Sequence, residues 1–600
     1  MSTKAFRATQ YYNFNEVQEN LYQKSKEGNS FKNLLDIITS DENILLAYRI
    51  IKSNDGAKTS GTDKQNIKNI ANMEKTTFIS HIKETLMDYK PHSVRRVLID
   101  KPGGGKRPLG IPTIRDRIIQ QMFKQVLEPI CEAKFQKISY GFRPKRTTRH
   151  AIAKVQSFIN IYKLYFSVDI DIKGFFDNVN HSLLMKQLWN IGIRDKRVLA
   201  IIGKMLKAPI KGEGIQKMGV PQGGVLSPLL SNVVLNDLDK WVMNQWESFE
   251  TDHTYAGNDV KIRELRRTSK LKEGYIVRYA DDFRVMTRDK ETAIKWFHAL
   301  KGYLKDRLKL DISPEKSQIV DVRKRSTVFL GYKIKAVEKK KKLVAKTNVS
   351  DKKLKEMQKR IKERILAIKK EPSPGNVSLY NSTVLGMQQS FKHATHVSPD
   401  FGKLENRLWK YLYNSLHGHA KYQLPNIKNK KQNSYTRIYG KNTRRTFVFK
   451  SGIFLYPISK VKTVKNKLFS YEGSPYKTEV NFSWDIEIIE LMKRNIPNAT
   501  VEYMDNRLSK YSMQKGLCHV TKTPLKADDV HCHHKKPKEL GGTDEFKNLV
   551  VVHKFVHKLI HATKPDTINK YMRLLNLGKR EVDRVNKLRA KCKLGSIGNE

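Results

Sequence analysis

The chain has 600 residues, with 115 Lys and Arg against 59 Asp and Glu, a formal net charge of +56. Its 39% hydrophobic and 9% aromatic content is enough for packed cores, which excludes a disordered chain, and the length calls for about three to five domains. Such an excess of positive charge repels itself unless a polyanion compensates it. Nucleic acid is the leading candidate and an anionic membrane surface the weaker one. No apolar run reaches the roughly 18 residues of a membrane span, and residues 1–20 lack an apolar signal core. Four scattered cysteines (Cys131, Cys518, Cys532, Cys592) make no disulfide framework, so a reducing compartment is expected.

In chain order, Leu34, Leu35, Ile38 and then Ile44, Leu45, Tyr48, Ile51 predict two short amphipathic helices split at Ser40-Asp41. A polar Gly-containing loop spans 54–63. Val97-Leu98-Ile99 predicts a strand running into Lys101-Pro102, three glycines, Lys106 and Arg107. A Gly-rich hairpin with these cations can fold over a triphosphate, although it lacks the Walker pattern; a plain basic hairpin is the alternative. Ile118, Met122, Val126 and Ile130 predict a helix over 113–135. Tyr140-Gly141-Phe142-Arg143-Pro144 then makes a turn offering a ring and a guanidinium to a base or phosphate.

In residues 166–181, Val168, Ile170 and Ile172 alternate with Asp169 and Asp171, so a strand sets both carboxylates on the opposite face. Gly174 breaks the strand and Phe175-Phe176 begin the exit. A carboxylate near a strand end, followed by an aromatic, can hold a metal beside a nucleotide pocket; the alternative is an edge strand with a solvated face. Pro221-Gln222-Gly223-Gly224 permits close backbone approach, and a helix with Pro228 near its start follows. Residues 241–273 read as a surface insertion. Tyr275 to Met286 predicts two short strands meeting at a tight turn, with Asp281 and Asp282 at its tip. Adjacent carboxylates repel, which suggests a cation between them; an ordinary solvated turn is the alternative.

Ala293 to Leu310 predicts a helix, and Leu310 to Lys316 a turn carrying a lysine. Val328 to Ile334 reads as one further strand, and the lysine run at 339–342 as a domain boundary. A very basic helix is predicted over 352–370, with Leu354, Met357, Ile361 and Ile365 on one face. Further helical stretches follow at 379–393 and 404–417, then a loop- and strand-rich region over 425–480.

The loop at 54–63, R-P-L-G-I-P (107–112), Y-G-F-R-P (140–144), D-I-K-G-F-F-D (171–177), P-Q-G-G-V-L-S-P (221–228), Y-A-D-D (279–282) and F-L-G-Y (329–332) occur in this order. In kind and order they resemble the reverse transcriptase/maturases encoded within mobile group II introns, over nearly the whole chain. Retron and diversity-generating reverse transcriptases share the central motifs but usually lack such long extensions. The resemblance implies a multidomain α+β protein: a right-hand polymerase (fingers and antiparallel palm sheet), a helical thumb/maturase domain X and a small ββα-metal HNH domain. The implied boundaries are 1–90 (N-terminal extension), 91–338 (fingers and palm, insertion 241–273), 348–462 (thumb and domain X), 463–509 (DNA-binding) and 510–600 (HNH).

By the same resemblance Asp171, Asp281 and Asp282, with the carbonyl of Ile172, hold two Mg²⁺ ions, for which hard oxygen ligands are suited. Phe176 matches the aromatic that excludes a ribonucleotide 2′-hydroxyl. Lys101 and Arg107 match contacts to the incoming triphosphate, Gln222 borders that nucleotide, and Lys316 assists the leaving group.

Six of the 17 histidines fall within 531–561. His557 and His561, four apart on a predicted helix, face one side and can share a cation. This stretch resembles HNH endonucleases. The resemblance makes His534 the general base, Asn548 the residue that orients it, and His533, His557 and His561 the holders of one divalent metal, with Mg²⁺ expected. An inactive DNA-binding remnant is the alternative. Of the two Cys-x-x-Cys pairs common in the family only Cys518 is present; Thr521, His553 and Val556 occupy the other places. A structural Zn²⁺ is therefore doubtful, with Cys518, His553 and His531 or Cys532 as remaining donors.

The function implied is that of an intron-encoded protein that binds its intron RNA, assists splicing, nicks target DNA and primes reverse transcription from the nick. Its partners would be the intron RNA, target DNA and dNTPs, with no membrane, and a homodimer allowed. Its location would be cytoplasmic or organellar. The rival readings are a maturase that only binds RNA and a stand-alone reverse transcriptase.

Overall fold

The computed structural model describes residues 8–100, 105–425, 434–440, 444–470, 473–477 and 485–598. Lys101 lies outside them. Helices α1 (Phe14–Lys26) and α2 (Asp41–Lys52) lie against α3 (Ile114–Glu132). Ser40 starts α2 by accepting from the Asn43 amide, as an N-cap should. Ile118, Met122, Phe123 and Val126 of α3 are fully buried, and its buried Gln125 is satisfied by the Asn43 carbonyl and side chain. The described part of residues 1–90 shares a core with α3.

The hairpin β1 (Arg95–Asp100) and β2 (Lys106–Ile111) precedes α4 (Thr148–Asn160) and β3 (Phe166–Ile170). Next come α5 (Ser227–Gln245), α6 (Asn258–Thr268), β4 (Tyr275–Tyr279), β5 (Asp282–Thr287), α7 (Lys290–Leu308) and β6 (Gln318–Asp321). The central sheet has order β4-β5-β3-β6, antiparallel throughout. It separates two cores: Ile276 of β4 packs into one and its neighbours Tyr275 and Val277 into the other. Burial on both faces explains why the strand reads as a continuous apolar run.

Three sequence expectations change here. Residues 241–273, expected as a surface insertion, hold packed elements: α5 continues to Gln245, Trp246 is 1% exposed, and α6 buries Ile262 and Leu265. F-L-G-Y is not one strand but the turn between β7 (Thr327–Phe329) and β8 (Tyr332–Lys339). Leu330 and Gly331 both take positive φ (51° and 82°), the requirement of a two-residue type I′ turn. The lysine run at 339–342 is likewise a hairpin turn, leading into β9 (Lys342–Val349), with Lys340 and Lys341 at φ 49° and 59°. No boundary falls there.

A helical extension follows: α8 (Asp351–Lys370), α9 (Pro374–Phe391) and α10 (Val397–Leu416), with the small sheet β10 (Ala420–Gln423) and β11 (Thr446–Phe449). Beyond it, residues 460–470 form an extended strap over α4. Asn466 donates to Gln156 and Phe469 packs against His150 and Arg146.

The boundary expected at 509/510 cuts through a continuous helix, α11 (Val501–Met513). Last come β12 (Val530–His534), β13 (Leu549–His553) and α12 (Lys554–His561), an antiparallel pair covered by a helix. α11 packs on β13 and also on α2. Among the described residues, no helix is long and apolar enough to cross a membrane.

Candidate functional site

The first site is a carboxylate turn. Ile170 of β3 pairs with Phe283 of β5, so Asp171, one residue past the strand, stands beside Asp282. Tyr279 pairs with Asp282, leaving Ala280-Asp281 as the two-residue loop. The tip is thus Ala280-Asp281, and Asp282 already belongs to β5. Ala280 has φ 59°, a left-handed conformation that costs energy for any residue with a Cβ.

That strain is held by Gly141 of the Y-G-F-R-P motif and by three residues not singled out in the sequence, Arg278, Asp239 and Asn232. Arg278 is 0% exposed, ion-paired with Asp239, and donates to Asn232 and to the Ala280 carbonyl (2.8 Å). Asn232 donates in turn to the Gly141 carbonyl at 2.9 Å. Gly141 presses on the turn so closely that a Cβ there would lie 2.2 Å from the Ala280 nitrogen. A buried charge needs a partner, and Asp239, itself 0% exposed, is that of Arg278.

Asp171 is held through its main chain, its amide donating to Ser317 and its carbonyl accepting from Ser313. Ile172 bridges Ile312 and is 6% exposed. The Asp171 carboxylate remains open, 3.3 Å from Lys316 Nζ. Lost hydration raises the Asp281 carboxyl above its ordinary range; the Asp171 charge adds to this and Arg107 opposes it. Lost hydration, with Asp169 and Asp281 close by, pushes Asp282 up to about 6 against the pull of Arg284. Asp171, Asp281 and Asp282 offer the hard oxygen ligands that suit a divalent cation such as Mg²⁺, with ligand atoms that do not all lie within 4.8 Å of one another.

A cavity of about 200 Å³ is walled by Phe176, Gln222, Gly110, Val220 and Met218 but not by the three aspartates. The Gln222 side chain accepts from Arg107 Nε at 2.8 Å and its carbonyl from the Gly110 amide at 2.6 Å. Gly223 (φ 108°) sits where a Cβ would be 2.3 Å from the Gly110 carbonyl. Phe176, Gln222 and Arg107 are thereby gathered on one side.

The second site is at the end of the chain. Among the described residues, the only three His, Cys, Asp or Glu side chains with ligand atoms all within 4.8 Å of one another are His533, His557 and His561. His531 and His533 alternate along β12 and share the face under α12, where His531 stacks on His557 at 3.5 Å. Burial and neighbouring imidazoles lower His533 to about 3 and His557 to about 2, and burial lowers His561. Neutral rings of this kind are metal ligands, and the buried His533 Nε2 has no hydrogen-bond partner. The trio fits a divalent metal.

His534 stacks on Tyr503 of α11 and holds Asp544 Oδ1 at 2.6 Å. Burial alone would raise Asp544, but bonds from His534, Thr500 and Lys538 hold it down to about 2. Asn548 does not touch the His534 ring: its side chain bonds only main chain, at Lys536 and Thr543. The ring's partner is Asp544, which carried no sequence signal. Cys518, His553, His531 and Cys532 form no comparable set; Cys518 Sγ instead receives the His553 amide at 3.4 Å.

Residues 99–334, which hold the central sheet and the carboxylate turn, match the family profile described as reverse transcriptase (RNA-dependent DNA polymerase). The chain is 34% identical over 319 residues to protein YkfC of Escherichia coli, covering 50% of this chain and 82% of that one. The chain belongs to the reverse transcriptase family. It is also similar to the group II intron-encoded protein LtrA of Lactococcus lactis, 31% identical over 355 residues (51% of this chain, 58% of LtrA). Nuclear intron maturase 2 of Arabidopsis thaliana is 26% identical over 178 residues, 22% of this chain and 24% of that protein. The match to LtrA thus spans a little over half of LtrA.

Proposed function

We propose that the chain is a group II intron-encoded reverse transcriptase that also serves its intron RNA as a maturase. The observation carrying the polymerase reading is the placement of Asp171 against the strained Ala280-Asp281-Asp282 turn. Asp171, Asp281 and Asp282 would hold Mg²⁺, which activates the primer 3′-hydroxyl and neutralises the departing pyrophosphate. Arg107 grips the triphosphate, Gln222 positions it from the cleft wall, and Phe176 crowds the sugar. Lys316, already beside Asp171, lends charge near the leaving group. Backbone and side chains are set before substrate arrives, so little reorganisation is needed. The basic faces of α8 and α10 suit RNA phosphates and support the maturase role.

Purified protein with Mg²⁺ should extend a DNA primer on an RNA template. In an Asp281→Asn/Asp282→Asn variant extension should fall at least about a thousandfold, several kcal/mol of transition-state stabilisation. Extension undiminished in that variant would remove these residues from the reaction. A pure RNA-binding maturase would show no extension at all, and a stand-alone polymerase no effect on splicing.

A second reading rests on the His533, His557 and His561 set: a single-metal HNH nuclease that nicks target DNA to supply the primer. His534, oriented by its ring partner, would take the proton from water. With a supercoiled plasmid carrying the DNA that flanks this reading frame, His534→Ala should cut nicking by about 10²–10⁴-fold and spare primer extension. If both activities fall together, two separate sites are ruled out.

A further inference from the structure

We propose that the helical extension carries a pocket for one unstacked nucleobase of single-stranded RNA, set between α10 and the β10–β11 sheet. The proposal rests on the RNA-binding part of the function above. The pocket has a volume of about 320 Å³, within the roughly 300–1,000 Å³ range of small-molecule sites. Its walls are of three kinds. Trp409, 37% exposed, and Tyr422 stand 5.2 Å apart and tilted by 58° at one side. Arg444 and Arg445, both exposed, form the rim. Glu405 and Tyr380 lie deeper.

The deep groups define the occupant. The Tyr380 side chain is 1% exposed, yet its hydroxyl is buried without a hydrogen-bond partner. Such a group is costly unless something supplies the bond. Glu405 accepts from the Ile458 and Ser459 amides and the Ser459 hydroxyl. Its oxygens are already accepting, so it offers a phosphate no donor in the interior. The pocket therefore asks for a flat neutral group with a polar edge, attached to an anion that remains outside on the two arginines. A base on its phosphodiester has that form, and aromatic stacking with rim cations is how single strands are held. An apolar peptide side chain would leave the Tyr380 hydroxyl unpaired.

The test uses the full chain and a single-stranded RNA of mixed sequence substituted with 4-thiouridine. Ultraviolet crosslinks should map to Trp409 or Tyr422. Trp409→Ala should weaken binding about tenfold or more, the loss of one stacked base. Tyr380→Phe should weaken it about three- to tenfold, one hydrogen bond, without lowering thermal stability, because the hydroxyl has no partner to lose. RNA bound with unchanged affinity by both variants, or crosslinks that avoid the pocket, would overturn the pocket and leave RNA binding intact. No RNA binding by the unaltered chain would overturn both.

Discussion

Asp169 lies in β3 and Asp171 one residue past its end, and their surroundings give them different work. Asp169 accepts from Ser167 and Thr327, both at 2.5 Å, and faces buried Arg284; it joins β3 to β7. Asp171 has left the ladder and keeps its carboxylate open. Alternation puts both on one face but cannot say which is already bonded. The turn opposite depends on Gly141 because nothing larger fits against Ala280. Gly141→Ala should push the turn away and reduce primer extension about a hundredfold, as a displacement of about 1 Å from productive geometry does. RNA affinity should be unchanged, and both are read by steady-state extension and equilibrium binding. Equal extension rates would mean the turn can give way without cost.

At the scale of elements, periodicity located the helices and most strands, since each carries its own pattern. It failed at β8–β9, where Lys340 and Lys341 take positive φ in place of the residues that announce a turn, and at β7–β8, where Gly331 alone announces one beside Leu330. It failed also at α11, which the sequence divided between two domains. One face of this helix meets the N-terminal helices: Asp505, with a 6% exposed side chain, binds Arg49 at 2.6 Å and Lys52 at 3.2 Å, and accepts from Tyr12. Tyr503 and Thr500, at its start, hold His534 and Asp544.

Burial would raise the Asp505 carboxyl, but Arg49 and Lys52 overcome it and hold the group below the ordinary range. The stabilisation is therefore complete above the unfolded value of about 3.9 and fades as pH falls through the lower folded value. Asp505→Asn should weaken this docking by about 3 kcal/mol at pH 7, seen as faster proteolysis between the two parts. The gap between variant and unaltered chain should narrow below about pH 3.9. A gap that widens on acidification would reverse the sign of this argument.

For the whole molecule, a charge of +56 on 600 residues suits an extended polyanion, and cations lie on the helical extension as well as on the β1–β2 hairpin. RNA affinity should fall steeply with salt, with a log–log slope of about −0.7 for each neutralised phosphate of a single strand. A flat salt response in filter binding would mean that these charges do not contact the backbone. The sequence by itself determined the reverse transcriptase motifs, their order, and a nucleic-acid-like partner, because short motifs and net charge are local or additive properties. Only the tertiary structure decided that Arg278 anchors the aspartate turn, that Asp544 holds His534, and that α11 ties the last domain to the first helices. These contacts are bonds between buried charges or rings, some of them more than 450 residues apart. Their strength comes from exclusion of water after folding, a condition that no local pattern records.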